Sequence, residues 1–323
     1  MYTGSLNLKH KFNYLLLHSL GVKKKSKKHE AKIQKLRNLM PNVQKIGPVS
    51  VCFNKEFLIG TGCDGTTVYV GLHDDGSDVA VKRILTHILK EDEVTIGNLV
   101  QLKKSHNIVN YRELISADPF SYVILDLCEE TLVDYVKGLS KEELQRRAPK
   151  IIRDILDGLS ALHCGERKVL HMDLKPLNIL VDTEGDMRLG DFGLSRMLDG
   201  SETSVNTGPK GTPGWIAASI AKVKGEKVKF KRKSDIQVVG MICFYILTKG
   251  EHPFGGRNDR IPNIAKGDPV YLDKLSDSNE KRFVSWLINH DINKRPYVEE
   301  ALRDPYLRLR SDGMFLNFFR FLF

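Results

Sequence analysis

Four polar residues in the middle of the chain carry a chemistry when read together. Asp173, Lys175 and Asn178 lie in His171-Met172-Asp173-Leu174-Lys175-Pro176-Leu177-Asn178, and Asp191 follows 18 residues after Asp173 in Asp191-Phe192-Gly193. A carboxylate at 173 would orient an acceptor hydroxyl and take its proton late in a phosphoryl transfer. An ammonium at 175 would neutralise the γ-phosphate, and oxygens at 178 and 191 would hold magnesium ions that bridge the phosphates. Magnesium suits the role because it is bound through one or two protein oxygens together with substrate phosphate. Asp173 and Lys175 are therefore the catalytic candidates, and Asn178 and Asp191 the metal candidates.

Two motifs upstream supply a nucleotide. Ile59-Gly60-Thr61-Gly62-Cys63-Asp64-Gly65 is a G-x-G-x-x-G run. Glycines let backbone N–H groups come close to phosphates. With Thr67 on the strand that follows, these residues form the expected phosphate cradle. A dinucleotide loop would need a helix directly after the glycines, whereas residues 66–70 read as a second strand. Lys82, in Val79-Ala80-Val81-Lys82, lies 22 residues beyond Gly60. It would reach the α- and β-phosphates if a carboxylate held it. Glu93 is the best-placed partner, with Glu91 and Asp92 close by. Alone, a glycine-rich hairpin or a strand lysine is commonplace. Four ordered motifs, with Lys82 placed 89 residues before His171, point to ATP- and magnesium-dependent phosphotransfer.

The elements that must position these residues change character along the chain. Alternation and turn residues predict strands near 49–53, 57–59, 66–72, 78–83, 109–116 and 122–127, with the turn Asp74-Asp75-Gly76-Ser77 between two of them. A helix is expected at 91–104. From residue 131 the pattern is helical, over 131–138, 141–162, 233–247 and 280–288. The fold class is thus α+β with two lobes, a small β-rich lobe over about 49–127 and a larger α-helical lobe over about 128–308.

Composition agrees with a well-cored globular body, 41% apolar and 28% charged over 323 residues. The five cysteines (Cys52, Cys63, Cys128, Cys164, Cys243) are scattered without a C-x-x-C pair, so neither a disulfide framework nor a zinc site is suggested and a reducing compartment fits. The net charge of +10 belongs to the first 50 residues, which hold eleven Lys/Arg against Glu30 alone; beyond them 39 basic and 39 acidic residues balance. Residues 1–48 read as a basic, solvated, disordered leader. Its lysines suit an anionic partner: lipid, nucleic acid or an import receptor. The nucleic-acid reading is weaker because no aromatics interleave the lysines. The apolar run at 12–20 is too short and broken to span a membrane, and no transmembrane segment is expected. A cytoplasmic location follows, with nuclear or membrane-surface association through the leader. The tail at 309–323 is apolar, with five Phe in its last ten residues, and reads either as a partner segment or as the end of a truncated reading frame.

With these motifs in place, residues 53–308 resemble the eukaryotic protein kinases. The resemblance implies a hinge at Asp126-Leu127-Cys128 that binds adenine through Asp126 and Cys128, with Leu125 as gatekeeper and Leu180 beneath the base. It also implies that Asp235 buttresses the catalytic loop and that Arg295 is a structural arginine. The stretches VAVKRIL (79–85), LCEETLV (127–133), GTPGWIA (211–217) and GEHPFG (250–255) are similar to one branch. That branch comprises the inositol-requiring-enzyme sensors of the unfolded-protein response and the 2-5A-dependent ribonuclease. In it a ribonuclease domain follows the kinase domain; here fifteen residues follow Arg308, so the likeness covers the kinase domain alone. It implies a Ser/Thr protein kinase acting on a protein substrate or on itself. The alternative left open is a nucleotide-binding module without catalysis, which dimerises as those relatives do.

Three departures stand beside the resemblance. Met172 replaces an arginine that would grip a phosphorylated activation loop. Ser219 replaces the acid expected to pair with Arg295, which predicts a looser substrate-docking segment. Gly97 falls where an apolar residue joins the packing between lobes, which predicts a mobile helix around Glu93. Ser195, Ser201, Thr203, Ser204, Thr207 and Thr212 are candidate autophosphorylation sites, Cys63 a candidate reactive thiol, and His163 and His290 packing or surface residues.

Overall fold

The computed structural model describes residues 25–40, 42–62, 65–89, 95–97, 105–198, 200, 202–208, 210–222 and 227–309. Seven strands form the sheet of the first lobe: β1 (Gln44–Ile46), β2 (Val49–Val51), β3 (Leu58–Thr61), β4 (Thr67–His73), β5 (Asp78–Leu85), β6 (Tyr111–Ala117) and β7 (Phe120–Asp126). They run antiparallel in the order β1-β2-β4-β5-β7-β6, with β3 also paired to β4. Strand alternation sorts β5: Val79 and Val81 enter a core with Phe57, Tyr69 and Ile124, while Ala80 and Lys82 face the other side.

The leader does not stop at Pro48 as a disordered arm. Helix α1 (Glu30–Asn38) buries Ile33 and Leu36 in the core of the first lobe, and β1 adds a strand to the sheet. The two apolar residues sit three apart, on one face of the helix, and each contributes about 1.5–3 kcal/mol on burial. Glu30 in the first turn and Lys35 and Arg37 in the last complement the helix dipole. With two large apolar side chains among nine, the helix reads as charged coil until the surface that receives it is known. The polybasic run at its start, the tail at 309–323 and residues 1–24 fall wholly or partly outside the described residues.

The second lobe begins with β8 (Glu130–Thr131), α2 (Leu132–Gly138) and α3 (Lys141–His163). Ser140 and Glu143 close a reciprocal capping box at the start of α3. Short strands β9 (Lys168–Leu170), β10 (Ile179–Val181) and β11 (Met187–Leu189) carry the central loops. After them come β12 (Arg196–Leu198), β13 (Ser204–Thr207), α4 (Ala218–Ala221), β14 (Val228–Lys231) and α5 (Arg232–Leu247). After its polar first turn helix α5 is largely apolar on every face and almost wholly buried, which makes it the lobe's axis. A Cβ on Gly240 would stand 2.7 Å from Leu287 Cβ, so glycine lets α5 meet α7 (Ser278–Leu287, which follows the short α6, Arg260–Lys266) closely. Among the described residues no helix is long and apolar enough to cross a membrane.

Candidate active site

The loop between β9 and β10 carries Asp173, Lys175 and Asn178, and its backbone is fixed from below. Asp235, buried near the start of α5, accepts the N–H groups of His171 (2.9 Å) and Met172 (3.0 Å) and a bond from His163 Nε2 (2.9 Å). Met172 has φ 66°, a left-handed conformation that costs a side-chain-bearing residue about 1–3 kcal/mol. Two hydrogen bonds to an ionised acceptor offset that cost. His171 is fully buried, and desolvation pushes its pKa below the ordinary imidazole value. Its neutral ring donates from Nε2 to the Gly190 carbonyl at 3.1 Å.

The carboxylate of Asp173 is held on both oxygens. Lys175 Nζ (2.7 Å) and Asn178 Nδ2 (3.0 Å) donate to Oδ2. Thr212 donates to Oδ1 through its hydroxyl (2.7 Å) and its backbone N–H (3.0 Å), and the same hydroxyl accepts from Lys175 Nζ at 2.7 Å. Thr212, one of the loop hydroxyls expected to be open to phosphorylation, here ties its segment to the Asp173 carboxylate. Gly211 (φ 114°) allows that approach, since a Cβ there would stand 3.2 Å from the Met172 carbonyl. With its nitrogen engaged by Asp173, Asn178 has its side-chain oxygen left as the donor for a cation.

Asp191 follows β11 with φ 61° and meets Lys82 Nζ at 3.1 Å, the contact that joins β5 of the first lobe to the second. Burial works to raise its carboxyl, but the charge and hydrogen bond of Lys82 outweigh this and hold the pKa below the usual carboxylate range. An ionised carboxylate and an amide oxygen are the hard donors magnesium takes. Phe192 is fully buried behind them, 5.3 Å from the His171 ring and 5.9 Å from Tyr111.

On the nucleotide side, Ile59, Gly60 and Thr61 end β3, Gly62 N–H bonds the Thr66 carbonyl at 2.8 Å, and Thr67 opens β4. Gly65 takes φ 75°, which favours glycine. Cys63, Asp64 and Glu93, with Glu91 and Asp92, lie outside the described residues. The carboxylate of Asp126 is engaged by Arg112 Nε at 2.6 Å, which leaves its carbonyl as its contribution to a ligand. Cys128 is buried, its thiol pushed up to about 12 by desolvation, and Leu180 lies half-buried on β10. Register adds residues that motif reading missed: Val68 pairs with Lys82, and Ala80 pairs with Leu125, so all four share the cleft face.

The three departures resolve differently. Met172 is 4% exposed and packs with Leu170, Leu198, Ile220, Val228 and Phe230, with Val205 and Ile216 against them. An apolar seat for the activation segment thus stands where a phosphate clamp would be, reinforced by the pairing of β12 with β9 and of β13 with β14. The three guanidinium nitrogens of Arg295 donate to the carbonyls of Asn289, Lys233 and His290, so its donors are satisfied without an acid at Ser219, although burial of the charge still pulls its pKa down to about 10. Nor is there a gap at Gly97, because a Cβ there would stand 2.6 Å from Tyr111 Cδ1; the ring of Tyr111 fills the space and hands the packing on to Phe192. Ser195 is buried, donating to the His171 carbonyl at 2.9 Å, and Thr207 is buried in β13, which removes both as open phosphorylation sites in this conformation. Thr203 is exposed and Ser204 half-buried.

Residues 53–307 match the protein kinase domain family, and the chain belongs to it. Within that family its kinase region is similar to the serine/threonine-protein kinase/endoribonuclease ire-1 of Caenorhabditis elegans, at 34% identity over 74% of this chain and 25% of the relative. The serine/threonine-protein kinase/endoribonuclease IRE1 of rice is 30% identical over 91% of this chain and 34% of its own length; IRE2 of Homo sapiens is 28% identical over 85% and 30%. The chain therefore spans between a quarter and about a third of the length of these curated relatives.

Proposed function

We propose that the protein transfers the γ-phosphate of ATP to a serine or threonine hydroxyl, on a protein substrate or on its own activation segment, with magnesium as cofactor. The observation that carries this reading is the intact network of Asp173, Lys175, Asn178 and Thr212, facing an ion pair between Lys82 and Asp191. Asp173 orients the incoming hydroxyl and accepts its proton; Lys175 stays within reach of both the carboxylate and the γ-phosphate. Lys82 positions the α- and β-phosphates, and Asn178 and Asp191 are the residues that would hold magnesium. The ion, when bound, neutralises charge on the phosphates. Of the three altered positions, Met172 and Gly97 are met by close packing of neighbouring side chains, which favours catalysis over a nucleotide-binding module.

The test is a magnesium-dependent phosphorylation assay on purified protein beside Asp173→Asn, with nucleotide binding followed separately by thermal shift. Phosphotransfer by the parent and its loss in the variant support the reading. Equal, background-level signals from both, with ATP still stabilising the fold, would assign the chain to the nucleotide-binding modules instead.

A further inference from the structure

The segment from Ser26 through α1 crosses the hinge and is fastened on both sides of it. Ser26 is 3% exposed; its hydroxyl donates to Glu129 Oε2 at 3.1 Å and accepts the His29 N–H at 3.0 Å. The Glu129 carboxylate also takes the backbone N–H groups of Lys27 (3.0 Å) and Lys28 (2.6 Å), and Lys28 Nζ reaches Glu130 at 2.6 Å. Glu129 belongs to the second lobe, since its own N–H bonds the Val181 carbonyl of β10 at 2.8 Å. The other end is anchored in the first lobe, by Ile33 and Leu36 in the core, by Arg37 on Asp78 of β5 at 2.8 Å, and by Lys32 Nζ on the Leu58 carbonyl at 2.6 Å. Between the anchors, the His29 ring lies against the Cys128 carbonyl, on the residue expected to meet adenine.

One of the contacts of this latch is a hydroxyl, and that hydroxyl lies in the sequence Lys23-Lys24-Lys25-Ser26-Lys27-Lys28. A serine flanked on both sides by lysines suits a protein kinase whose substrate groove is acidic. The contacts it makes when folded are the reverse. Its oxygen abuts the carboxylate of Glu129, and its backbone N–H faces that of Asp78. A phosphoryl group adds a charge of about −1.5 to −2 and three oxygens. It has no room at a buried position and would face two carboxylates there, whereas outside the latch Lys25, Lys27 and Lys28 would pair with it.

We propose that Ser26 is a phosphorylation site for a basophilic serine/threonine kinase acting in trans, and that its phosphorylation unfastens the strap from Glu129 and so uncouples the two lobes at the hinge. In the modifying step the Ser26 Oγ–phosphorus bond forms as the bond from the γ-phosphorus of ATP to the bridging oxygen breaks. ADP leaves, and the hydroxyl proton passes to the modifying enzyme's carboxylate base. The buried hydroxyl is reached in the open state of the strap, so modification also traps that state. This inference does not depend on the chain's own catalysis, and its test is built to exclude it.

The full chain carrying Asp173→Asn, to silence self-modification, is incubated with the catalytic subunit of cyclic-AMP-dependent protein kinase, ATP and magnesium. Phosphate is mapped by fragmentation mass spectrometry, and hydrogen exchange is followed over residues 26–38. One phosphate is expected at Ser26, absent in Ser26→Ala and acquired faster when Glu129→Gln weakens the latch. Exchange across the strap should then rise by about tenfold or more, as for a segment released from its contacts, and Ser26→Glu should reproduce part of the rise. A chain modified at Ser26 whose strap exchanges at the parent rate would overturn the proposal. So would failure to label Ser26 in the Glu129→Gln protein, where the hydroxyl is most accessible.

Discussion

The hydroxyl of Thr212 donates to Asp173 at 2.7 Å while accepting from Lys175 at the same distance, so one side chain of the activation segment sets the spacing of the two groups proposed to do the chemistry. Thr212→Val keeps the shape and removes both bonds. It should lower kcat for a peptide substrate by about 10- to 100-fold, the usual range for misplacing a general base. Thr212→Ser should stay within about threefold of the parent, a barrier change below ~0.7 kcal/mol. Steady-state kinetics on the three proteins decide it; equal losses in the valine and serine variants would mean that the methyl group, not the hydroxyl, matters.

The apolar seat of Met172 predicts indifference to phosphate. Phosphatase treatment should leave peptide activity within about threefold. Met172→Leu, which conserves volume and apolarity, should cost less than about 1.5 kcal/mol of stability by chemical denaturation. Met172→Arg would place a guanidinium among Leu198, Val228 and Phe230 and should cost about 3 kcal/mol or more, or expel β13 from its pairing with β14, read as faster hydrogen exchange there. A Met172→Arg protein as stable as the parent and newly stimulated by phosphate would show that the seat is readily rebuilt.

Gly97 and Tyr111 should behave as one unit. Gly97→Ala presses a methyl group into the tyrosine ring and should destabilise by about 1–3 kcal/mol. Combined with Tyr111→Leu, the same alanine should cost markedly less, a non-additivity of the kind contacting residues show. Additive effects in the double-mutant cycle would separate the two positions.

Acid should erode stability through His252. Its ring is buried, edge-on to Trp215 at 4.9 Å, and its Nδ1 accepts the Phe254 N–H at 3.2 Å. Desolvation first, then the charge of Arg260, brings its pKa down to about 3. The unfolded chain takes up that proton near pH 6.5 and the folded chain does not. The contribution is therefore whole above pH 6.5 and is lost as pH falls towards 3, at about 1.4 kcal/mol per pH unit once the unfolded state is protonated. His252→Phe should flatten the stability profile across that window. An unchanged slope in the variant would assign the acid sensitivity to other groups.

The parts of this molecule that were legible in the sequence are those encoded in runs. The catalytic loop, Asp191-Phe192-Gly193, the glycine turn and the strand of Lys82 each compress their chemistry into a few adjacent residues. The strands and long helices followed from periodicity, including the buried α5. What escaped notice depends on partners far away in the chain. Thr212 looks like any loop hydroxyl until Gly211 brings it beside Asp173. Gly97 looks like a defect until Tyr111, at the start of β6, fills the space. Helix α1 buries two large apolar residues, Ile33 and Leu36, too few to announce a face before the sheet that buries them exists. Ala80 was within reach, since period-two alternation from Lys82 already places it on the same face; Val68 needed the register of β4 on β5.

An activation segment seated by methionine, leucine and phenylalanine side chains also has a bearing on time. A kinase latched by phosphate stays on after its stimulus has gone, until a phosphatase resets it; it stores a record of the past and sums over repeated inputs. Packing stores nothing. With Met172 in its apolar seat, the phosphotransfer proposed above would follow the present occupancy of the cleft and fall with it. This seat would hold no record of past stimulation, and a phosphate-borne memory would have to enter elsewhere in the chain, as at Ser26.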